Sequence, residues 1–114
     1  MPGFPKHERL LKRADFVRIS GQGEKTHTAN FLILRKESPA SAVRIGITVS
    51  GKVGNAVTRN RLKRLIREFY RQNKGLFTLM DYSIIAKKGA AGLAYSDVAQ
   101  ELGRALQRLL RQQC

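Results

Sequence analysis

From Val43 to Ser50 apolar and polar residues alternate. Val43, Ile45, Ile47 and Val49 point one way, and Arg44, Gly46, Thr48 and Ser50 the other. This period of two predicts a strand with one aliphatic face and one small, polar face, suited to an open sheet face or a groove floor. Thr28 to Arg35 predicts a second strand. Phe31 and Ile33 share one of its faces and Leu32 and Leu34 the other, so both faces are expected to be covered. Asp81 to Lys87 predicts a third, with Tyr82, Ile84 and Ala86 on one face.

Elsewhere the spacing is helical. On a wheel of about 100° per residue, Leu62, Leu65, Ile66 and Phe69 share one side, with Tyr70 at its edge. That helix is expected to start at Asn55 and run to about Lys74, where Gly75 ends it. Val98, Leu102, Ala105, Leu106, Leu109 and Leu110 predict a last helix, with Ser96 as its N-cap. Glu8 to about Ile19 predicts a short first helix, with Leu10, Leu11, Ala14, Phe16, Val17 and Ile19 on a broad apolar side and Gly21-Gln22-Gly23 closing it. Residues 1–7, with two of the three prolines, are expected to form a flexible arm. Lys36 to Ser41, with Pro39, and Lys88 to Ala94 are expected loops.

The order is α-β-β-α-β-α, with room for an extra short strand near Lys25. A strand, a crossover helix and a strand predict a βαβ unit with parallel neighbours. The simplest architecture is an α/β domain spanning residues 1–114, a single sheet with helices on one side and the polar face of the Val43–Ser50 strand accessible.

Charge decides what kind of partner such a domain meets. The 114 residues carry a net +14, with a pI near 11 and an ordinary 42% of apolar residues. That excess repels itself and calls for a neutralising partner, for which nucleic acid is the default. A membrane surface fits less well, because there is no long apolar anchor, and no stretch approaches 18 apolar residues. The opening MPGFPKHERLLKR lacks the apolar run of a signal peptide, so a cytoplasmic location is expected. The single cysteine, Cys114, makes no internal disulfide, and no Cys/His cluster has zinc spacing.

Lys52 to Lys74 holds eight Lys/Arg and one Glu, half of the net charge in a fifth of the length. Arg59, Lys63, Arg67 and Arg71 advance by four residues and form a ridge opposite the apolar stripe, joined by Arg64, Lys74 and Asn60, while Arg61 stands apart near the stripe's other boundary. Such a ridge tracks a phosphate backbone. A merely solvated face would interleave acidic residues, and only Glu68 is at hand. Catalytic constellations are weak by comparison. The eight carboxylates form no spaced pair, and His7 and His27 read as surface histidines. Ser50-Gly51-Lys52 lacks the rest of a phosphate-binding loop, and the Gly54 turn is read as a plain strand-to-helix connection. Phe16, beside Arg18, is open to two readings: a ring on which a single-stranded base stacks, or a core phenylalanine.

Arg44-Ile45-Gly46-Ile47-Thr48-Val49-Ser50, followed by Lys52-Val53-Gly54-Asn55-Ala56-Val57-Thr58-Arg59-Asn60-Arg61-Leu62-Lys63-Arg64-Leu65-Ile66-Arg67-Glu68, closely resembles the bacterial ribonuclease P protein subunit. Arg9-Leu10, Asp15-Phe16, Phe31 and the run from Asp81-Tyr82 to Lys88-Gly89 extend the resemblance over nearly the whole chain. It implies a two-layer α/β sandwich with a single mixed sheet of about four strands and a left-handed βαβ crossover, against the usual hand. It also implies the small subunit of a ribonucleoprotein endonuclease that removes the 5′ leader of precursor tRNA. The RNA subunit would supply the active site and hold the Mg2+. The protein would contribute no catalytic residue and no metal site, and need no protein partner or membrane. Its partners would be that catalytic RNA and precursor tRNA.

Residue by residue, the resemblance places Lys52, Arg59, Asn60, Arg61, Lys63, Arg64, Arg67 and Arg71 on RNA. Phe16, Gly46, Thr48, Ser50 and Ala56 line or floor a cleft for the leader, with Lys52, Asn60 and Arg67 near it. The chain departs from many relatives at Ser20 and Leu34, where an aromatic residue often stands, and at Gly51, where they carry a lysine. The alternative is a non-enzymatic RNA-binding protein, such as a ribosomal or assembly protein. A DNA regulator is disfavoured because a β-rich stretch, not a partner helix, precedes the basic helix.

Overall fold

Ile45 and its alternating neighbours form β3 (Arg44–Thr48), which pairs in parallel with β4 (Met80–Ala86). β4 lies antiparallel to β2 (Phe31–Glu37), and β2 antiparallel to the short β1 (Glu24–His27), so the sheet order is β1-β2-β4-β3. β1 is the extra strand expected near Lys25. The chain passes from β3 to β4 through α2 (Ala56–Gln72), which gives the expected βαβ unit. This computed structural model describes residues 6–10, 12–38 and 42–112. Leu11, Pro39, Cys114 and residues 1–5 of the expected arm lie outside them.

One face of the sheet makes the main core. Ile45 pairs with Tyr82, and Ile47 with Ile84 and, beyond it, Ile33, so these aliphatic rows project to the same side. α2 sets Leu62, Ile66, Phe69 and Tyr70 against them, and α3 (Tyr95–Gln112) sets Val98, Leu102, Ala105, Leu106 and Leu109. Leu62 and Ile66 are fully buried, and each such side chain contributes about 1.5–3 kcal/mol. Phe77 closes the end of this core edge-on to Tyr70 and Tyr82, with ring centroids 5.0 Å away in both cases.

The other face is partly covered, which corrects the expectation of helices on one side only. α1 (Arg13–Gln22) packs there over β2 and β4, where Leu10, Ile19 and Leu34 are buried and Phe16, Leu32 and Ile85 flank them. Leu32, Leu34 and Ile85 are the reason: they project away from the main core and need apolar cover.

The first helix also starts later than its pattern predicted. Lys6–Glu8 form a single 3-10 turn, so the arm's last two residues are ordered. Arg9 bridges to Ile45, and the Leu10 N–H donates to the Ile45 carbonyl at 2.9 Å. The chain spends these residues on the free edge of β3, whose backbone groups would otherwise be unpaired. Other shifts are local. Asn55 caps α2 as expected, its Oδ1 accepting from the Thr58 N–H at 2.9 Å. α2 stops at Gln72, and a 3-10 turn follows over Lys74–Leu76. α3 begins at Tyr95, ahead of the expected Ser96 cap, because the Asp97 carboxylate reaches back to the Ala94 N–H at 3.0 Å.

Candidate nucleic-acid interface

α2 presents its cations in two states. Arg71 is held by Glu68, its Nε donating at 3.0 Å, and Gln72 donates to the same carboxylate at 2.7 Å. The Arg71 hydrogen bond pulls the Glu68 carboxyl below its ordinary pKa, and Glu68 raises that of Arg71. Lys74 donates to Glu8 at 2.9 Å, and Tyr70 donates to the same carboxylate at 2.5 Å. Burial pushes Glu8 upward, but Tyr70 and Lys74 outweigh it and leave the carboxyl below its usual range. Arg61, apart from the ridge on the wheel, donates to the Leu93 carbonyl at 2.7 Å and ties α2 to the segment before α3.

The side chains of Lys52, Arg59, Lys63, Arg64 and Arg67 have no ion pair or hydrogen bond with any described residue. The Arg59 Nε is buried and has no partner among the described residues, so its guanidinium is incompletely satisfied by them. Arg59, Lys63 and Arg67 advance along the helix in steps of about 6 Å, a spacing on the scale of successive phosphates. Asn60 and Arg64 are exposed beside them.

The second part of the site is the open side of the sheet. Gly46, Ser83 and Leu34 form one cross-strand row there, and Thr48, Ile85, Leu32 and His27 the next. The Phe16 ring lies over Gly46 while remaining only half-buried. Thr48 is exposed next to half-buried Ile85 and Leu32, so the floor beside Phe16 is partly apolar and partly hydroxylic. Ser50, Lys52 and Ala56 are exposed along the turn into α2. Val17 on α1 and Val57 in the first turn of α2 are largely exposed, an unusual use of valine on the surface of so charged a chain. The structure thus brings Phe16 and Gly46 into contact, leaves Thr48, Ser50 and Ala56 open, and gives Arg61 and Arg71 partners within the fold. Leu34, one of the departures, is buried in the cluster under α1.

What positions α1, and Phe16 with it, is an ionic network that sequence reasoning did not assign. Asp81 is completely buried. Arg44 donates to it from Nε at 2.8 Å and from Nη2 at 2.6 Å, and Arg18 donates at 2.5 Å. Asp15 lies 3.4 Å from the Arg44 guanidinium. The Asp81 hydrogen bond raises the Arg44 pKa against the opposing effect of burial. Two residues of α1, Asp15 and Arg18, are thereby anchored to β3 and β4. Asp15-Phe16 and Asp81-Tyr82 were visible as parts of the resemblance, but nothing local in the sequence links the two aspartates.

Among the described residues no group of three or more His, Cys, Asp or Glu side chains could hold a metal ion, and no helix is long and apolar enough to cross a membrane.

The ribonuclease P family model matches residues 4–110. Over 106 residues the chain is 53% identical to the ribonuclease P protein component of Geotalea uraniireducens, covering 93% of this chain and 94% of that one. The chain belongs to the ribonuclease P protein family. More distant members agree: the component from Bacillus velezensis is 37% identical over 107 residues, covering 93% of this chain and 89% of its own. The structure of the Staphylococcus aureus ribonuclease P protein superposes with a TM-score of 0.83 at 32% identity, covering 90% of this chain and 94% of that one. The Thermotoga maritima protein superposes with a TM-score of 0.79 at 33% identity, covering 89% and 96%. The mixed α/β architecture is therefore the family's. Family membership makes the protein an RNA-binding component of a tRNA-processing ribonucleoprotein endonuclease, and it decides against the ribosomal or assembly-protein alternative.

Proposed function

We propose that the protein binds the catalytic RNA of ribonuclease P through the unpaired cations of α2 and receives the 5′ leader of precursor tRNA across the open side of the sheet. In this reading the RNA carries the active site and holds the Mg2+, and the complex works in the cytoplasm. The observation that carries it is the set of cations Lys52, Arg59, Lys63, Arg64 and Arg67, whose side chains have no partner among the described residues, while Glu8, Glu68 and Asp81 are taken up in ion pairs elsewhere.

The physical contribution is charge neutralisation and positioning. Five cations on phosphates of a duplex region correspond to a salt slope of about 4–5 log units per decade. Their charge substitutes for part of the Mg2+ that would otherwise screen RNA phosphates. On the open face, the half-buried Phe16 ring offers a stacking surface and Thr48 and Ser50 offer hydroxyls, which suits a single strand held without sequence readout. Arg61 and Arg71 take supporting parts, since each is already held within the fold.

The test is reconstitution. Added to its cognate catalytic RNA, the protein is expected to lower the Mg2+ concentration needed for precursor cleavage. No effect at any Mg2+ concentration would overturn the assignment of these surfaces to that RNA and its substrate.

A further inference from the structure

We propose that a second basic surface, on α3, holds a separate phosphodiester segment of the same partner RNA; this rests on the reading above that the partner is RNA. A groove of about 640 Å3 runs between α3 and the turn joining β1 to β2. Arg104, Arg108 and Arg111 line it, with Gln100 and Gln107 beside them. At i, i+4 and i+7 the three arginines share the face of α3 opposite its buried stripe of Val98, Leu102, Ala105, Leu106 and Leu109.

Two carboxylates line the same groove, and both are already engaged. Glu101 accepts from the Thr28 hydroxyl at 2.5 Å, the Asn30 N–H at 2.7 Å and the Asn30 side-chain amide at 2.8 Å. Asp97 accepts from the Ala94 N–H at 3.0 Å. On a solvated helix face Glu101 and Arg104, three residues apart, would pair, as Glu68 and Arg71 do on α2. Here the β1–β2 turn takes the carboxylate instead. The side chains of Arg104, Arg108 and Arg111 have no hydrogen bond or ion pair with any described residue. Their mutual spacing is that of repelling like charges, which a polyanion relieves. They span about 10 Å of helix, the length of a few nucleotides of backbone.

The occupant is not the strand on the open face of the sheet. α3 covers the main core, whereas Phe16 and Gly46 lie on the other side of the sheet. The groove borders the β1–β2 turn, whereas α2 follows β3 at the opposite edge of the sheet, so a folded RNA reaches the two basic surfaces with different segments.

The test uses the intact protein and its partner RNA without precursor, and compares two variants. Combining Arg104→Gln, Arg108→Gln and Arg111→Gln is expected to make the salt dependence of binding shallower by about two to three log units per decade. It should also remove one patch of hydroxyl-radical protection on the RNA, leaving the patch that depends on Arg59 and Arg67. If the triple variant changes neither readout while Arg59→Ala with Arg67→Ala changes both, the α3 face is only solvated and this inference falls alone. If neither variant changes either readout, the RNA reading falls with it. Unchanged RNA binding together with loss of wild-type binding to polyglutamate would assign the groove to an acidic protein and overturn the proposal.

Discussion

The Phe16 ring fills the space that a side chain at Gly46 would need: a β-carbon there would lie 2.4 Å from its Cε1 and 2.6 Å from its Cζ. Gly46→Ala therefore forces the ring, and α1 behind it, off the sheet. Overpacking of this kind costs about 1–3 kcal/mol, readable by urea denaturation. Because the displaced group is Phe16, precursor with a long leader should lose more affinity than leaderless tRNA. Phe16→Ala separates the two roles of the ring: a loss confined to long-leader substrates, up to about 1–3 kcal/mol, marks a stacking surface. An equal loss for both substrates assigns Phe16 to the core.

Asp81 is the buried anion on which Arg18 and Arg44 converge. Asp81→Ala leaves Arg18 and Arg44 with only the more distant Asp15, 3.9 and 3.4 Å away, as counter-charge, and breaking a buried ion pair from one side costs about 3–5 kcal/mol. The expected result is a large loss of thermal stability together with a loss of leader-dependent affinity, since α1 is released. A variant with wild-type Tm would show that the network does not hold α1.

The strands and the two long helices were legible because each carries its own periodicity. Val43, Ile45, Ile47 and Val49 alternate cleanly, and Leu62, Leu65, Ile66 and Phe69 repeat at helical spacing. Leu10 was not placed correctly, because a helical pattern says nothing of the open β3 edge that captures Arg9 and Leu10. The clue to α1 on the second face was present in Leu32 and Leu34, read as a doubly covered strand but not connected to a helix. The ridge of α2 could be read, including the separation of Arg61 from it. That Arg61 has a partner could not, since Leu93 is remote in sequence, whereas the partner of Arg71, Glu68, lies only three residues away. The Asp81 network was invisible for the same reason: Asp15, Arg18, Arg44 and Asp81 each look like surface charges until the sheet register brings them together.

Arg61 and Arg67 should respond differently to alanine. Arg61→Ala deletes the bond to the Leu93 carbonyl, a charge-assisted contact worth about 1.5–3 kcal/mol, so stability should fall. The Arg67 side chain has no partner among the described residues, and Arg67→Ala should leave the unfolding midpoint unchanged while weakening RNA binding and flattening its salt slope by about 1 log unit per decade. The reverse pattern in denaturation and binding titrations would exchange their roles.

Glu101 gives the fold a pH dependence with a definite sign. Burial pushes its carboxyl pKa up, but hydrogen bonds from Thr28 and Asn30 and the charge of Lys87 prevail, so the folded value is depressed. The stabilisation is fully present above the unfolded glutamate pKa, about 4.3, and is lost as pH falls through the lower folded value. Glu101→Gln is expected to lower stability at pH 7 by about 1–3 kcal/mol. The gap between the two proteins should narrow as the pH drops below about 4. A gap that stays constant on thermal melts down to acid pH would mean that the charge on Glu101 contributes nothing.

Gly51, where the family resemblance implies a lysine, offers a test by gain of contact. Nothing lies within 4 Å of a β-carbon built on it, and the residue is exposed in the turn beside Lys52. A side chain there meets no obstacle, so Gly51→Lys should fold with an unchanged or slightly higher midpoint, because the unfolded chain loses freedom. If the turn faces RNA phosphates, one added cation steepens the salt dependence by about 0.7–0.9 log units per decade. The affinity gain should then be clear at low salt and vanish near 1 M, where the Debye length is only about 3 Å. Titrations with the partner RNA across salt concentrations decide it. An unchanged slope with an intact fold would place the Ser50–Lys52 turn away from the RNA and confine the docking surface to α2 itself.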